Sequence, residues 1–180
     1  MNEIIKAIFF NDTLKRWHFE AIVKESKMSR ERVNYFLKQL VKEEFIKRIK
    51  PKGKMPYYLA NRESPKFRTE KRLFGLNLIE KSGLFEHLNS LKNIKTAILF
   101  GSFARGDWSK SSDIDLFLYG DDQDFDKGNF ENKINREIQL FSYKNPKKIK
   151  QRLDPKLLPN IVKGFNIKES LEPFEVVINA

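Results

Sequence analysis

The sequence predicts an α+β protein with a basic helical part first and a part containing buried strands after it. In the N-terminal third, apolar residues recur every three or four positions, which is typical of amphipathic helices. Two later apolar runs, Thr96–Phe100 and Ile114–Tyr119, are rich in strand-forming residues and are bounded by turn residues. With 180 residues, the chain is long enough for one medium domain or two small ones.

The charge is strongly positive and unevenly distributed. The formal net charge is +11, and residues 1–64 carry 15 Lys and Arg against 8 Asp and Glu, whereas residues 65–180 carry 20 against 16. This excess favours a polyanionic partner such as nucleic acid or nucleotide phosphates. The absence of Cys excludes disulfides and cysteine zinc sites. No His lies near the two apolar runs, which argues against Ser-His chemistry.

The sequence gives no sign of a membrane segment. No apolar run reaches the length of a transmembrane helix. The N-terminal residues include Glu3 and only a short apolar run, unlike a signal peptide. We therefore expect a cytoplasmic protein without a membrane partner.

Residues 1–64 are predicted to hold three helices and a hairpin. The first helix contains Ile4 to Phe9, the second covers His18 to Glu25, and Ser29 is a suitable N-cap for the third. The third helix carries the stripe expected of one buried face, formed by Val33, Phe36, Leu37, Leu40 and Val41. Two short strands on either side of a Pro/Gly turn then form a hairpin with a lysine-rich tip.

Three helices followed by a basic hairpin resemble the winged helix-turn-helix domain. In that family the third helix enters the major groove and the hairpin contacts the backbone. The resemblance implies DNA as the partner, with RNA as the alternative. The implied base contacts are Arg30, Arg32, Asn34, Tyr35 and Lys38, and the implied phosphate contacts are Lys50, Lys52 and Lys54. The competing interpretation is a solvated basic face on a domain that only packs against its neighbour.

Residues 65–95 are predicted to be connecting helices. Ser64 followed by Pro65 is a strong helix start, and Gly83 is a suitable stop. A second short helix follows, outlined by Leu84, Leu88 and Leu91. No low-complexity linker separates the basic part from the remainder, which favours two modules packed together.

The motif that organises the second part joins the two buried strands. The first strand ends at Gly101-Ser102, and the second starts with Asp113-Ile114-Asp115. Residues two apart in a strand project from the same face, so the two carboxylates lie side by side. Because paired carboxylates beside an apolar strand have a high desolvation cost, the pattern suits a divalent-metal site.

The Gly-Ser turn suits a phosphate group. A strand that turns into a helix at Gly101-Ser102 presents free backbone N–H groups and a hydroxyl. Glycine at this point lets a phosphate approach the backbone closely. Arg105 lies in the same turn and is positioned to pair with a phosphate oxygen.

Together, Gly-Ser, a ten-residue spacer and Asp-Ile-Asp resemble the signature of the polymerase β-like nucleotidyltransferase superfamily. The sequence FGSFARG…SDIDLF is similar to the corresponding sequence of the minimal prokaryotic enzymes. The domain order is similar to that of archaeal nucleotidyltransferases that carry a DNA-binding domain. The resemblance implies a small mixed-sheet domain over residues 96–180. It also implies transfer of a nucleoside monophosphate from a nucleoside triphosphate, with ATP as the expected donor. Asp113 and Asp115 would hold two Mg²⁺ ions.

One position departs from the superfamily pattern. The superfamily has a third carboxylate on the next strand, which is predicted over Glu137–Phe141, and the aligned position is Gln139. An amide binds a divalent cation more weakly than a carboxylate does. Glu137 lies two residues earlier on the same face and is the alternative third ligand.

Three functional hypotheses follow. The first is a Mg²⁺-dependent nucleotidyltransferase brought to nucleic acid by its basic domain. The second is a DNA-binding regulator whose nucleotidyltransferase-like domain is weakly active or only senses nucleotide, as Gln139 suggests. The third is an antitoxin-like protein that modifies a partner protein. The sequence leaves the acceptor open between nucleic acid and protein, and it leaves a homodimer open.

Overall fold

A computed structural model describes residues 3–174 of the chain. The chain divides into two compact units, one ending at Phe74 and the other starting at Gly75. None of the helices within residues 3–174 combines the length and apolar character needed to cross a membrane.

The first unit contains three helices followed by a hairpin, as predicted. The elements are α1 (Glu3–Asn11), α2 (Phe19–Ser26), α3 (Arg30–Lys42), β1 (Ile46–Ile49) and β2 (Tyr57–Ala60). The side chain of Ser29 accepts a hydrogen bond from the backbone N–H of Arg32, which confirms the predicted cap of α3. The two strands pair antiparallel, with Ile46 opposite Ala60.

Apolar faces of the three helices form the core of this unit. Val33, Leu37 and Leu40 of α3 are fully buried, as the periodicity predicts. The ring of Phe10 lies 5.5 Å from the ring of Phe45, so α1 packs against the segment that leads into the hairpin.

Two helices follow the hairpin. They are α4 (Pro65–Lys81) and α5 (Leu84–Ser90), separated by Gly83 in the left-handed conformation. The hydroxyl of Ser64 accepts a hydrogen bond from the N–H of Phe67, which confirms the predicted start of α4. The division between the two units falls within α4.

The second unit is built on a mixed four-stranded sheet. Its strands are β3 (Ile94–Phe100), β4 (Ile114–Gly120), β5 (Ile138–Tyr143) and β6 (Phe165–Asn166), in the order β5-β4-β3-β6. β3 pairs antiparallel with both β4 and β6, and β4 pairs parallel with β5. Besides α5 and the end of α4, the described part of this unit contains α6 (Gly101–Arg105), α7 (Lys127–Ile134), α8 (Pro146–Arg152) and α9 (Leu158–Val162). The two strands predicted around the Gly-Ser and Asp-Ile-Asp motif are therefore present.

One face of this sheet carries the candidate site. The core on this face contains residues of three strands together with Ile149 of α8 and Leu153, which follows that helix: Ile98, Phe100, Phe117, Tyr119 and Tyr143. Because side chains alternate along a strand, Asp115 lies on the same face as Phe117 and Tyr119. The carboxylates therefore stand at the start of β4, on the face that the later helices cover.

Candidate functional site

The first part of the site is the turn from β3 into α6. Gly101 has a φ of 68°, a conformation that L side chains rarely adopt. A Cβ at this position would lie 2.7 Å from Cγ of Asp115 and still closer to its Oδ2. Glycine is thus required at residue 101 both by its backbone conformation and by the close approach of the Asp115 carboxylate.

Asp115 is fixed by this turn. Its carboxylate accepts a hydrogen bond from the backbone N–H of Ser102 and is about half-buried. Burial raises the pKa of Asp115, and the charge of Asp113 raises it further, whereas Arg105 and the Ser102 N–H act in the opposite direction. The two carboxylates therefore lie close enough to repel each other, and a bound cation would relieve that repulsion.

β5 contributes an amide beside this pair. The parallel register places Gln139 directly opposite Asp115. The alignment of Gln139 with the third acid position of the superfamily stays a prediction. Glu137 precedes β5, and its carbonyl accepts a hydrogen bond from the N–H of Ile114 at 2.9 Å. Within residues 3–174, no group of three or more His, Cys, Asp or Glu side chains is arranged to hold a metal ion. The participation of Glu137 remains a prediction.

The donor atoms present fit Mg²⁺ held together with a nucleotide, and the expected number of two ions stays a prediction. Asp113, Asp115 and Gln139 offer only oxygen donors from two carboxylates and one amide. Mg²⁺ is commonly bound by one or two carboxylates with the remaining positions filled by water and substrate phosphates. Burial and the charge of Asp113 raise the pKa of Asp115, and a cation bound between the two carboxylates would lower it.

The loop between α6 and β4 is held by an arginine that the sequence analysis did not identify. Nη1 of Arg136 donates to the backbone carbonyls of Ser109, Lys110 and Ser112, each at 2.9 Å. Its guanidinium also lies over the rings of Phe103 and Trp108, at 5.1 and 5.3 Å. The available signal was Trp108, a large apolar residue within a polar spacer, which the structure shows to be fully buried. The sequence did not show which side chain it would contact.

An open cleft lies next to Asp113. Its volume is about 420 Å³, and its lining includes Asp113, Asn132, Asn135, Arg136 and Glu137. The lining contains amides and both signs of charge and has no aromatic ring, so it does not offer a stacking surface for a base. This cleft leaves the solvent side of Asp113 accessible.

Arg105 is exposed at the end of α6. Its Nε lies 3.2 Å from Oδ2 of Asp107, an exposed ion pair that contributes little to stability. The structure therefore places Arg105 in the same turn as Ser102, and its side chain has a neighbouring carboxylate as a partner.

The predicted nucleic-acid residues of the first unit are distributed unevenly on α3. Asn34 and Lys38 line one shallow cleft of about 380 Å³ together with Arg48 of β1. Arg32 is two positions from Asn34 and therefore faces another side of the helix. Nη1 of Arg30 lies 2.6 Å from a carboxylate oxygen of Glu20.

The remaining predicted residues of this unit are exposed. Tyr35 is 59% exposed, and its ring lies 5.4 Å from that of Phe36. Lys50, Lys52 and Lys54 are exposed on the hairpin and make no ion pair within the described part of the chain. These lysines are thus available to a polyanion.

Comparison with known proteins identifies the second unit. Residues 83–167 match the family described as "Polymerase beta, Nucleotidyltransferase". Together with the mixed sheet, this match shows that this part of the chain is a polymerase β-like nucleotidyltransferase domain. The predicted resemblance is confirmed for this domain, and the match does not extend to the N-terminal helices and hairpin.

A curated archaeal protein is also similar. A Methanocaldococcus jannaschii protein, named provisionally as a protein adenylyltransferase, is 48% identical over 52 residues. The similarity covers 26% of this chain and 51% of the relative, so the chain spans about half the length of the curated relative it matches.

Proposed function

We propose that this chain transfers a nucleoside monophosphate from a nucleoside triphosphate to an acceptor hydroxyl. The observation that supports the proposal is the contact between Asp115 and the Gly101-Ser102 turn. Asp115 lies against Gly101 and accepts the Ser102 N–H, which joins the predicted phosphate turn to the predicted metal ligands. ATP is the proposed donor, because the similar archaeal protein is named as an adenylyltransferase.

The residues of the site have separable roles in this proposal. The N–H groups and hydroxyl at Gly101-Ser102 bind the triphosphate, with Arg105 as a further contact. Asp113 and Asp115 would hold divalent metal, which when bound would neutralise phosphate charge and lower the pKa of the attacking group. The acceptor hydroxyl oxygen bonds to the α-phosphorus and gives up its proton to solvent. The bond between the α-phosphorus and the oxygen that bridges to the β-phosphate breaks, and pyrophosphate leaves.

The acceptor is proposed to be a protein side chain. The similar archaeal protein is named for protein adenylylation, which supports this class. The cleft beside Asp113 has polar and charged walls and no ring for base stacking, which also suits a polypeptide hydroxyl better than a nucleobase.

Calorimetric titration tests nucleotide binding. ATP, GTP, CTP and UTP are each titrated with Mg²⁺ into wild type and into Asp113→Ala/Asp115→Ala. We expect ATP to bind wild type and to lose at least tenfold in affinity in the double variant. Failure of all four nucleotides to bind would contradict the proposal, as would equal binding by both proteins.

A second candidate function is favoured by Gln139. Its position opposite Asp115 puts a neutral amide where the superfamily has its third acid. We infer that a domain of this kind can bind a metal-nucleotide complex while turning it over slowly, as a nucleotide-sensing regulator would. The variant Gln139→Asp discriminates the two functions. If the wild-type protein is inactive and the variant transfers labelled nucleotide at least tenfold faster, the result favours the regulator.

The first unit is proposed to be a winged helix-turn-helix domain that binds DNA. Support comes from three helices followed by a hairpin, from the exposed lysines at its tip and from the excess positive charge of residues 1–64. In this proposal the hairpin lysines contact phosphates, whereas Asn34, Tyr35 and Lys38 face the bases. Fluorescence anisotropy with duplex DNA at increasing salt tests it, since phosphate contacts give a steep salt dependence.

A further inference from the structure

The loop that precedes Asp113 is hydrogen-bonded to a single side chain at three of its carbonyl oxygens. It joins α6 to β4 over residues 106–113, and much of it is exposed. Three of its carbonyl oxygens, from Ser109, Lys110 and Ser112, lie 2.9 Å from a single nitrogen of Arg136. The last of these residues is the direct neighbour of Asp113.

This convergence of carbonyl oxygens requires a hydrogen-bond donor. Carbonyl oxygens carry partial negative charge, so three of them directed at one point repel each other unless a donor lies between them. Nη1 of Arg136 supplies that donor, and its planar guanidinium is held by the rings of Phe103 and Trp108. The two rings are themselves stacked, with centroids 5.1 Å apart and planes only 4° from parallel.

The rings below the guanidinium are fixed in turn. Phe103 and Trp108 are both fully buried. A Cβ at Gly75 would lie 2.7 Å from Nε1 of Trp108, so the backbone of α4 approaches the indole closely. The guanidinium therefore rests on a rigid surface, and the loop carbonyls are held relative to the core of the second unit.

We propose that Arg136 is a positioning residue, which holds the loop so that Asp113 stays beside Asp115 at the start of β4. The inference rests on the proposed function, because it takes these two aspartates as the metal ligands. Arg136 lies one residue before Glu137, whose carbonyl accepts the N–H of Ile114. Asp113 is thus held on both sides, by Arg136 through Ser112 and by β5 through Ile114.

Arg136 supports the position of Asp113 more than that of Asp115. Asp115 has its own support in the Ser102 N–H and in its pairing with Gln139. Asp113 precedes β4 and depends on the loop for its position. Loss of Arg136 should therefore weaken metal binding much more than metal-free binding of the triphosphate.

Two variants test this, with one matched control. Arg136→Met removes the donors and keeps an apolar stem, and Arg136→Lys keeps the charge without the planar fork. The control is Lys133→Met, which removes another cation over a ring in the same unit, 5.1 Å from Phe130. Mn²⁺ is titrated calorimetrically in the presence of ATP, and ATP is titrated separately in EDTA.

We expect Arg136→Met to weaken Mn²⁺ binding by about tenfold or more, as loss of a group that orients a ligand does. ATP affinity in EDTA stays within about twofold of wild type, Arg136→Lys is intermediate, and Lys133→Met behaves as wild type. Hydrogen exchange becomes faster at the amides of residues 109–113 and is unchanged at Leu116–Leu118. A structural effect spread over the domain would instead accelerate exchange in both segments.

Wild-type Mn²⁺ affinity in both Arg136 variants would overturn the inference, as would failure of both variants to fold. Its failure is distinguishable from that of the proposed function. If the wild-type protein transfers no nucleotide but Arg136→Met binds Mn²⁺ more weakly than wild type does, the positioning role stands without the transferase. If wild type transfers nucleotide and both variants match it in KM and kcat, the transferase stands without the positioning role.

Discussion

The polar residues of the two units are held in different ways. In the first unit, Tyr35 and the hairpin lysines are exposed, and their side chains are not fixed by the core. In the second unit, Asp115 is half-buried against Gly101 and receives a backbone hydrogen bond. The first arrangement suits a surface that adapts to a charged polymer, whereas the second suits a site whose geometry is set before substrate arrives.

This difference predicts how each unit responds to substitution. Where one contact fixes a carboxylate, a single change should remove most of the function. Where binding is a sum of exposed charges, each change should remove a small share of the affinity.

Asp115→Asn should lower nucleotide transfer on the order of a thousandfold, because it removes a proposed metal ligand and a metal ion held there would supply several kcal/mol of transition-state stabilisation. The amide retains the shape and can still accept the Ser102 N–H. Transfer of label from α-labelled ATP to a partner protein measures the loss. Transfer within tenfold of wild type would show that Asp115 is not part of the catalytic site.

Gly101→Ala should lower transfer about a hundredfold, since the new Cβ displaces the Asp115 carboxylate. Gly83→Ala is the matched control. Gly83 also has a positive φ, 80°, but a Cβ there meets no atom within 4 Å. Both variants share a backbone strain of about 1–3 kcal/mol, which chemical denaturation measures.

Equal loss of activity in the two glycine variants would mean that the effect comes from general destabilisation. The comparison therefore separates the contact with Asp115 from the cost of the backbone conformation.

Replacing Lys50, Lys52 and Lys54 by Ser should weaken binding of duplex DNA about tenfold or more at moderate salt. It should also reduce the slope of log affinity against log salt by up to about three, because each lost phosphate contact contributes about 0.9. The control is the same change at Lys147, Lys148 and Lys150 of α8, which removes equal charge from the second unit.

Equal losses in the two triple variants would show that net charge alone drives DNA binding. A loss confined to the α8 variant would assign the nucleic-acid surface to the second unit.

The smallest expected effect concerns stability and pH. The folded pKa of Asp115 lies above its ordinary value of 3.8 because of burial and the Asp113 charge. The folded protein therefore holds this proton more tightly than the unfolded chain does, so this group's contribution to stability falls as pH rises from about 3.8 through the raised pKa. In metal-free urea denaturation, Asp115→Asn should gain stability relative to wild type over that window and keep a constant difference above it. A difference that does not change with pH would contradict the raised pKa.

The elements of both units could be predicted largely from local patterns. Ser29 and Ser64 mark helix starts that the structure confirms, since a cap depends on residues three positions away. The alternation around Asp113 and Asp115 predicted both carboxylates on one strand face; in the structure Asp115 belongs to β4 and Asp113 directly precedes it. The structure places Gln139 opposite Asp115, and the register matters because a shift of one residue would turn every side chain of β5 to the other face of the sheet.

Arg136 could not be predicted in the same way. Its carbonyl partners lie 24 to 27 positions earlier in the chain, and backbone carbonyls carry no sequence signature. The closeness of Gly101 to Asp115 could be expected only in general terms, since it depends on the pairing of Phe100 with Asp115 across two strands. Contacts of this kind appear only once the sheet has formed.

The most direct test of the nucleotide site is calorimetric titration of ATP with Mg²⁺ into wild type and into Asp113→Ala/Asp115→Ala. The structure predicts one ATP bound per chain of wild type and at least a tenfold loss of affinity in the double variant. Equal affinity in the two proteins, or no binding to wild type, would contradict the assignment of these aspartates and the Gly-Ser turn to a metal-nucleotide site.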